Sequence, residues 1–275
     1  MTRLWLGLAL LLPLAAGAAA APWAQAWLGH DPFTPDLFGR HGPPSAEHPL
    51  GTDELGRDIL LRLLFGARVS LLVGLSVAVA ATALGAAAGL FAAWRGGWPD
   101  AVLMRVADGM LALPALPLLV VLAAVDTGRF GLPRGEAASD IARLVLILTL
   151  FGWVGVARLA RAAALSELAR DYVAAARVSG ATEARVLLRH VAHNIAGPVL
   201  VAAALSVAGA ILAESALSFL GLGIQPPAPS WGNMLANAQE LVFSAPLAAV
   251  WPGLAILLAV AGCTLVADGL RQPSA

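Results

Sequence analysis

Residues 166–198 read SELARDYVAAARVSGATEARVLLRHVAHNIAGP, a polar, Arg-rich stretch between two long apolar runs. Its pattern is helix, turn, helix. Ala174, Ala175 and Ala176 favour helix and add almost no side-chain bulk. Ser179-Gly180 ends that helix, because Gly tolerates the left-handed backbone that closes one. In the second arm Val186, Leu187, Leu188 and Val191 are the apolar residues, with Arg185 and Arg189 on another face. Gly197-Pro198 stops this arm, and Pro198 can open the next helix. A small polar helical hairpin between membrane spans is suited to docking into a groove on a partner.

The rest of the chain makes the flanking runs membrane spans. It has 275 residues, 59% hydrophobic and 12% charged, with a mean hydropathy of +0.81. Those values lie far from a soluble domain. All 17 basic residues are Arg, matched by 17 acids, so the net charge of zero predicts no general attraction to nucleic acid. The single Cys263 sits in an apolar run and reads as a packing residue.

Six spans are expected, at about Leu4–Ala21, Val69–Trp94, Ala101–Val125, Ala142–Leu165, Pro198–Leu222 and Ala248–Ala267. The first, led by Arg3 and ending in small residues, also resembles a signal peptide; a retained anchor suits an even number of spans. The third carries Pro114 and Pro117, which predict a kink. With the N-terminus inside, Arg3, Arg95, Arg158, Arg161, Arg170, Arg177, Arg185, Arg189 and Arg271 fall on the inner side. Arg40, Arg57, Arg62, Arg68, Arg129, Arg134 and Arg143 fall outside, as do acids such as Asp53, Asp58, Asp126, Asp140 and Glu240. The first outer loop is long and counts for less, so the distribution places both termini in the cytoplasm.

Outside the spans, Ile59, Leu60, Leu63 and Leu64 share one face, and Asp58 and Arg62 make an acid-then-base pair. This pattern predicts an interfacial helix lying on the outer membrane surface before the second span. Pro226, Pro227 and Pro229 exclude regular helix after the fifth span and predict an outer turn with Trp231 at the interface. Glu214 lies in the outer half of the fifth span. It reads either as a pathway-lining carboxylate, with Ser215 and Ser218 beside it, or as a structural hydrogen-bonding group. Arg105 and Asp108 read as a structural pair or as snorkelling groups, and Asp268 as interfacial. His30, His41 and His48 lack metal-ligand spacing and read as solvated loop residues. No G-x-x-x-x-G-K-[ST] loop is present, so ATP is not expected to bind this chain. No nucleophile–His–Asp arrangement points to catalysis.

Three blocks resemble the permease subunits of bacterial ABC importers, of the peptide/nickel branch. In the 166–197 loop the matching residues are Asp171-Tyr172-Val173, Ala175-Ala176-Arg177, Gly180-Ala181, Arg189-His190-Val191 and Asn194. Ala174 stands where that loop usually carries its acid, and Ala192-His193 where Leu-Pro is usual. The other blocks are HPLGTDELGRDILLRLLFGARVSL (48–71) and ESALSFLGLGIQPPAPSWGNM (214–234), the latter more like di- and oligopeptide permeases than nickel ones.

The resemblance implies an all-α integral membrane bundle of six transmembrane helices with the type I ABC importer permease fold. Residues 1–67 would hold an anchor span, a periplasmic loop and an interfacial helix; 68–268 the five-span permease domain; 269–275 a cytoplasmic tail. It implies an inner-membrane subunit forming half of a path for di- or oligopeptides, with nickel as the alternative cargo. A second permease, two ATP-binding cassette subunits that hold ATP and Mg, and a periplasmic or lipid-anchored binding protein would be its partners, within membrane lipid. Asp171, Tyr172, Ala175, Ala176, Arg177, Gly180, Ala181, Arg189, His190 and Asn194 would dock to the ATPase. An ion-gradient-driven transporter using Glu214 as its proton site is the reading from another class, and it would have no need of the hairpin. A membrane-embedded enzyme would need paired polar catalytic groups at one depth, and the sequence offers none.

Overall fold

Long apolar segments without breakers become long helices, because a lipid-facing backbone must satisfy its own hydrogen bonds. The computed structural model describes residues 2–125, 128, 133–236 and 246–271. The expected outer residues Asp126, Arg129 and Glu240, and positions 272–275 of the expected tail, lie outside the described residues. The helices are α1 (Thr2–Leu28), α2 (Ile59–Arg95), α3 (Gly97–Ala112), α4 (Ala115–Ala124), α5 (Ala137–Leu168), α6 (Asp171–Val178), α7 (Glu183–Arg185), α8 (Ala192–Asn194), α9 (Ala196–Phe219) and α10 (Pro246–Arg271). Helices α1, α2, α5, α9 and α10 are long and apolar enough to cross a membrane, and α3 with α4 make a sixth span if the bent pair counts as one. The all-α bundle expected from the sequence is the fold observed.

Three local expectations are revised. The proline pair breaks the third span instead of kinking it: α3 and α4 meet at 89°. Leu113 is extended, as a residue before proline must be, and Pro114 caps α4. Pro117 then falls in the first turn of α4, where backbone N–H groups lack helical partners in any case. The expected interfacial helix does not stand apart. Residues 59–67 are the first turns of α2, which at 37 residues is about 55 Å long and exceeds the hydrocarbon thickness of roughly 30 Å. No proline interrupts positions 59–95, so nothing ends the helix at the membrane surface.

The third revision concerns charge partners. Asp58 does not pair with Arg62. Its carboxylate caps α2 by accepting from the Leu61 N–H at 2.7 Å, and it lies 2.9 Å from His48 Nδ1. Arg62 pairs instead with Asp53 at 3.3 Å and donates to the Pro32 carbonyl. His48 is therefore tied into the fold, and its ring packs 4.7 Å from that of His30. Asp108 pairs with Arg158 of α5 at 3.4 Å, not with Arg105. Asp268 pairs with Arg3 at 3.3 Å, joining the ends of α1 and α10.

Helix α2 packs closely along α5. A Cβ at Gly89 would lie 2.4 Å from the Ala157 carbonyl oxygen, and one at Gly85 would lie 2.5 Å from that of Trp153. Small residues permit this backbone approach, and dispersion rewards it in lipid. One half of the core gathers Val73, Leu144, Leu148, Leu217 and Ile224. The other half gathers Ala93, Ala160 and Ala164 against the polar hairpin. Arg271 lies with Gly197 and Pro198 around one cavity, so the end of α10 and the hairpin share one end of the bundle.

Gly89→Val forces the new side chain into the Ala157 carbonyl and is expected to cost about 1–3 kcal/mol, as overpacking does. Thermal unfolding in detergent should show a lowered midpoint, whereas Gly155→Ala, which meets no neighbour within 4 Å, should not lower it.

Candidate functional site

The hairpin is built from local rules. Asp171 sits in the first turn of α6, where a negative charge suits the helix dipole. The C-terminus closes with the Ala181 N–H on the Ala176 carbonyl and the Gly180 N–H on the Arg177 carbonyl, each at 3.0 Å. That bonding pattern is a Schellman motif, and it requires the left-handed backbone that Gly180 adopts, with φ of 83°. The Thr182 hydroxyl caps the return arm by accepting from the Arg185 N–H. Positions Val186–Val191 widen into a π-helix, where an ordinary short helix was expected. Such widenings are frequent at functional sites.

The apolar face of the hairpin is spent on mounting it. Val173, Val186, Val191 and Ile195 are buried against Ala160 and Ala164 of α5 and Ala93 of α2. Ala176 and Ala181 pack at the edge of this cluster. What remains outside is Asp171, Ala175, Arg177, Gly180, Arg189 and Asn194, with His190 half-buried. Two apolar side chains join them: Val178 is 89% exposed and Leu188 70%. Neither was singled out as a contact residue, although an apolar residue next to a turn in a polar loop is the signal that could have found Val178.

A hydrogen-bonded triad holds the base of the hairpin. Tyr172 Oη donates to Glu167 Oε2 at 2.6 Å, and Asn194 Nδ2 donates to Tyr172 Oη at 2.8 Å. The triad links the end of α5 to both arms, and the Tyr172 ring lies 6.2 Å from that of His190. Glu167 is the member missed in the sequence, where nothing local ties it to Asn194. Arg177 closes the turn with two bonds to Glu183, at 2.9 and 3.1 Å. Both groups are well exposed, so this pair adds little stability.

At the opposite end, Glu214 of α9 is fully buried. Its carboxylate accepts from the hydroxyls of Ser218 at 2.7 Å, Ser70 of α2 at 2.9 Å and Ser215 at 3.4 Å. These bonds satisfy polar oxygens that would otherwise be costly to bury. Trp231 is fully buried within the chain, and its indole Nε1 donates to the Leu63 carbonyl at 3.1 Å. A buried indole needs such a partner, and the first turns of α2 supply it.

Among known proteins, the family model described as binding-protein-dependent transport system inner membrane component matches residues 85–272. A di/tripeptide transport system permease protein of Pseudomonas aeruginosa is 40% identical, covering 97% of this chain and 85% of that protein. A dipeptide transport system permease protein of Escherichia coli is 46% identical, over 83% of this chain and 72% of its own length. An oligopeptide transport system permease protein of Bacillus subtilis is 34% identical, over 92% and 79%.

Tyr172 is the only tyrosine in the chain, so a tyrosinate absorbance titration reads it alone. Its hydrogen bond to Glu167 exists only in the neutral phenol, which raises its pKa above the ordinary 10.0. Glu167→Gln should move the midpoint down toward that value. Equal midpoints in the two proteins would mean that the triad does not form in solution.

Proposed function

The chain belongs to the family of binding-protein-dependent transport system inner membrane components, and on that premise we propose that it is one of two permease subunits enclosing the path of an ATP-driven importer for di- or oligopeptides. The peptide class is supported by what the relatives of Pseudomonas aeruginosa, Escherichia coli and Bacillus subtilis are named for. Both termini and the hairpin face the cytoplasm. A second permease chain completes the path, a periplasmic or lipid-anchored binding protein delivers the peptide at the outer face, and two ATPase subunits hold ATP and Mg.

The observation that carries this reading is the hairpin itself. It is seated on α2 and α5 through Val173, Val186 and Val191, yet it presents Val178, Leu188, Arg177 and Arg189 outward. Apolar side chains exposed on a polar loop fit a cleft on a soluble partner. A push on the hairpin passes directly into two spans through the alanines beneath it. Asp171, Tyr172, Ala175, Ala176, Gly180, Ala181, His190 and Asn194 shape this element: some face the ATPase and the others hold the turn and the base.

Purification of the tagged chain in mild detergent should recover a second permease and ATPase subunits, identified by mass spectrometry. Recovery of the chain alone, with transport retained in liposomes lacking ATP, would overturn the reading. Gly180→Val meets no steric neighbour but puts a β-branched residue at positive φ, at a cost of about 1–2 kcal/mol, or roughly tenfold in population of the native turn. Peptide transport should fall at normal abundance while ATP hydrolysis by the complex persists. Normal transport by this variant would exclude Gly180 as the element that sets the coupling turn.

A further inference from the structure

Residues 220–235 cross the outer end of the bundle without regular helix until the short turn Asn233–Leu235. Three prolines deprive this segment of helical partners, so its backbone N–H groups must find acceptors elsewhere. Two of them find the same carboxylate through serine. The Ile224 N–H donates to Ser218 Oγ at 3.1 Å, and that hydroxyl donates to Glu214 Oε1 at 2.7 Å. The Trp231 N–H donates to Ser70 Oγ at 3.2 Å, and that hydroxyl donates to Glu214 Oε2 at 2.9 Å. Each serine is fixed as acceptor on one side and donor on the other. A carboxylate suits the centre of this relay because both of its oxygens accept.

The same segment is held from α5. Buried Arg143 donates to the carbonyls of Leu222 at 3.3 Å and Gly223 at 3.2 Å, and its partner Asp140 accepts from the Gln225 N–H at 3.1 Å. Space is closed as well: a Cβ at Gly232 would lie 2.5 Å from Ser215 Cα. The strap is thus bonded to α2, α5 and α9 at once.

We propose that Glu214 is a positioning residue for transport: through Ser70 and Ser218 it locks the 220–235 strap so that the outer ends of α2, α5 and α9 move as one unit. The outer mouth then opens between this chain and its partner permease, not between these helices. This rests on the permease reading above. It takes the structural of the two roles open to Glu214, because a side chain bonded by three hydroxyls and buried from solvent is placed to hold structure, not to meet cargo.

The test is hydrogen exchange on the co-purified complex, resolved to single amides, together with ATP hydrolysed per peptide transported. Ser70→Ala should speed exchange at Trp231 by about tenfold and spare Ile224, Ser218→Ala should do the reverse, and Glu214→Leu should affect both. ATP use per peptide should rise several-fold in Glu214→Leu and Ser70→Ala and return in Ser70→Thr, which keeps the hydroxyl. General destabilisation removes active complexes and leaves that ratio unchanged. If Glu214→Leu does not assemble, the serine variants decide. Fast exchange at both amides in the unaltered protein, equal effects of the two serine variants, or an unchanged ratio overturns the proposal. The relay pattern in a complex that moves no peptide would overturn the peptide reading and leave the strap standing.

Discussion

The backbone contact between α2 and α5 at Gly85 and Gly89 is the constraint on which the other elements rest. In lipid no hydrophobic force drives helices together, so close dispersion contact must hold them. Once these two helices are joined, one pair of their ends provides the floor of alanines on which the hairpin sits. The opposite ends provide Leu63, Ser70, Asp140 and Arg143, which grip the proline-rich strap. A change in the α2–α5 contact would therefore be felt at both ends.

The two ends solve opposite problems. The hairpin must be firmly mounted and yet present a surface. It buries valines inward, leaves Val178 and Leu188 bare, and relies on one glycine for a turn that other residues adopt only under strain. The strap has a partly buried backbone with little regular structure. It meets this with a carboxylate, an Arg–Asp pair and serine hydroxyls, because each unpaired buried N–H would cost about 1–3 kcal/mol. Polar residues inside the bundle are concentrated where the backbone is irregular.

The hairpin and the strap lie at opposite ends of the bundle, and α2 runs continuously from the edge of one to the edge of the other. Its continuity is the largest departure from the expected layout. The amphipathic pattern of residues 59–64 suggests a helix lying on the membrane, whereas Arg62 on its polar face pairs with Asp53 of the folded loop before α2.

The sequence by itself determined the long apolar helices, the all-helical class, the turn at Gly180 and the family resemblance of the loop around it. These depend on apolar length, on local backbone preference and on a motif contained within some thirty residues. Only the tertiary structure decided which charges pair. Arg62 takes Asp53 and not Asp58, Arg158 takes Asp108, and Glu214 reaches Ser70 across 144 positions. Helical spacing reports which residues share a face but not what a second helix brings against it. The full burial of Trp231 was hidden for the same reason, since its partner is the carbonyl of Leu63 on a helix far away in the chain.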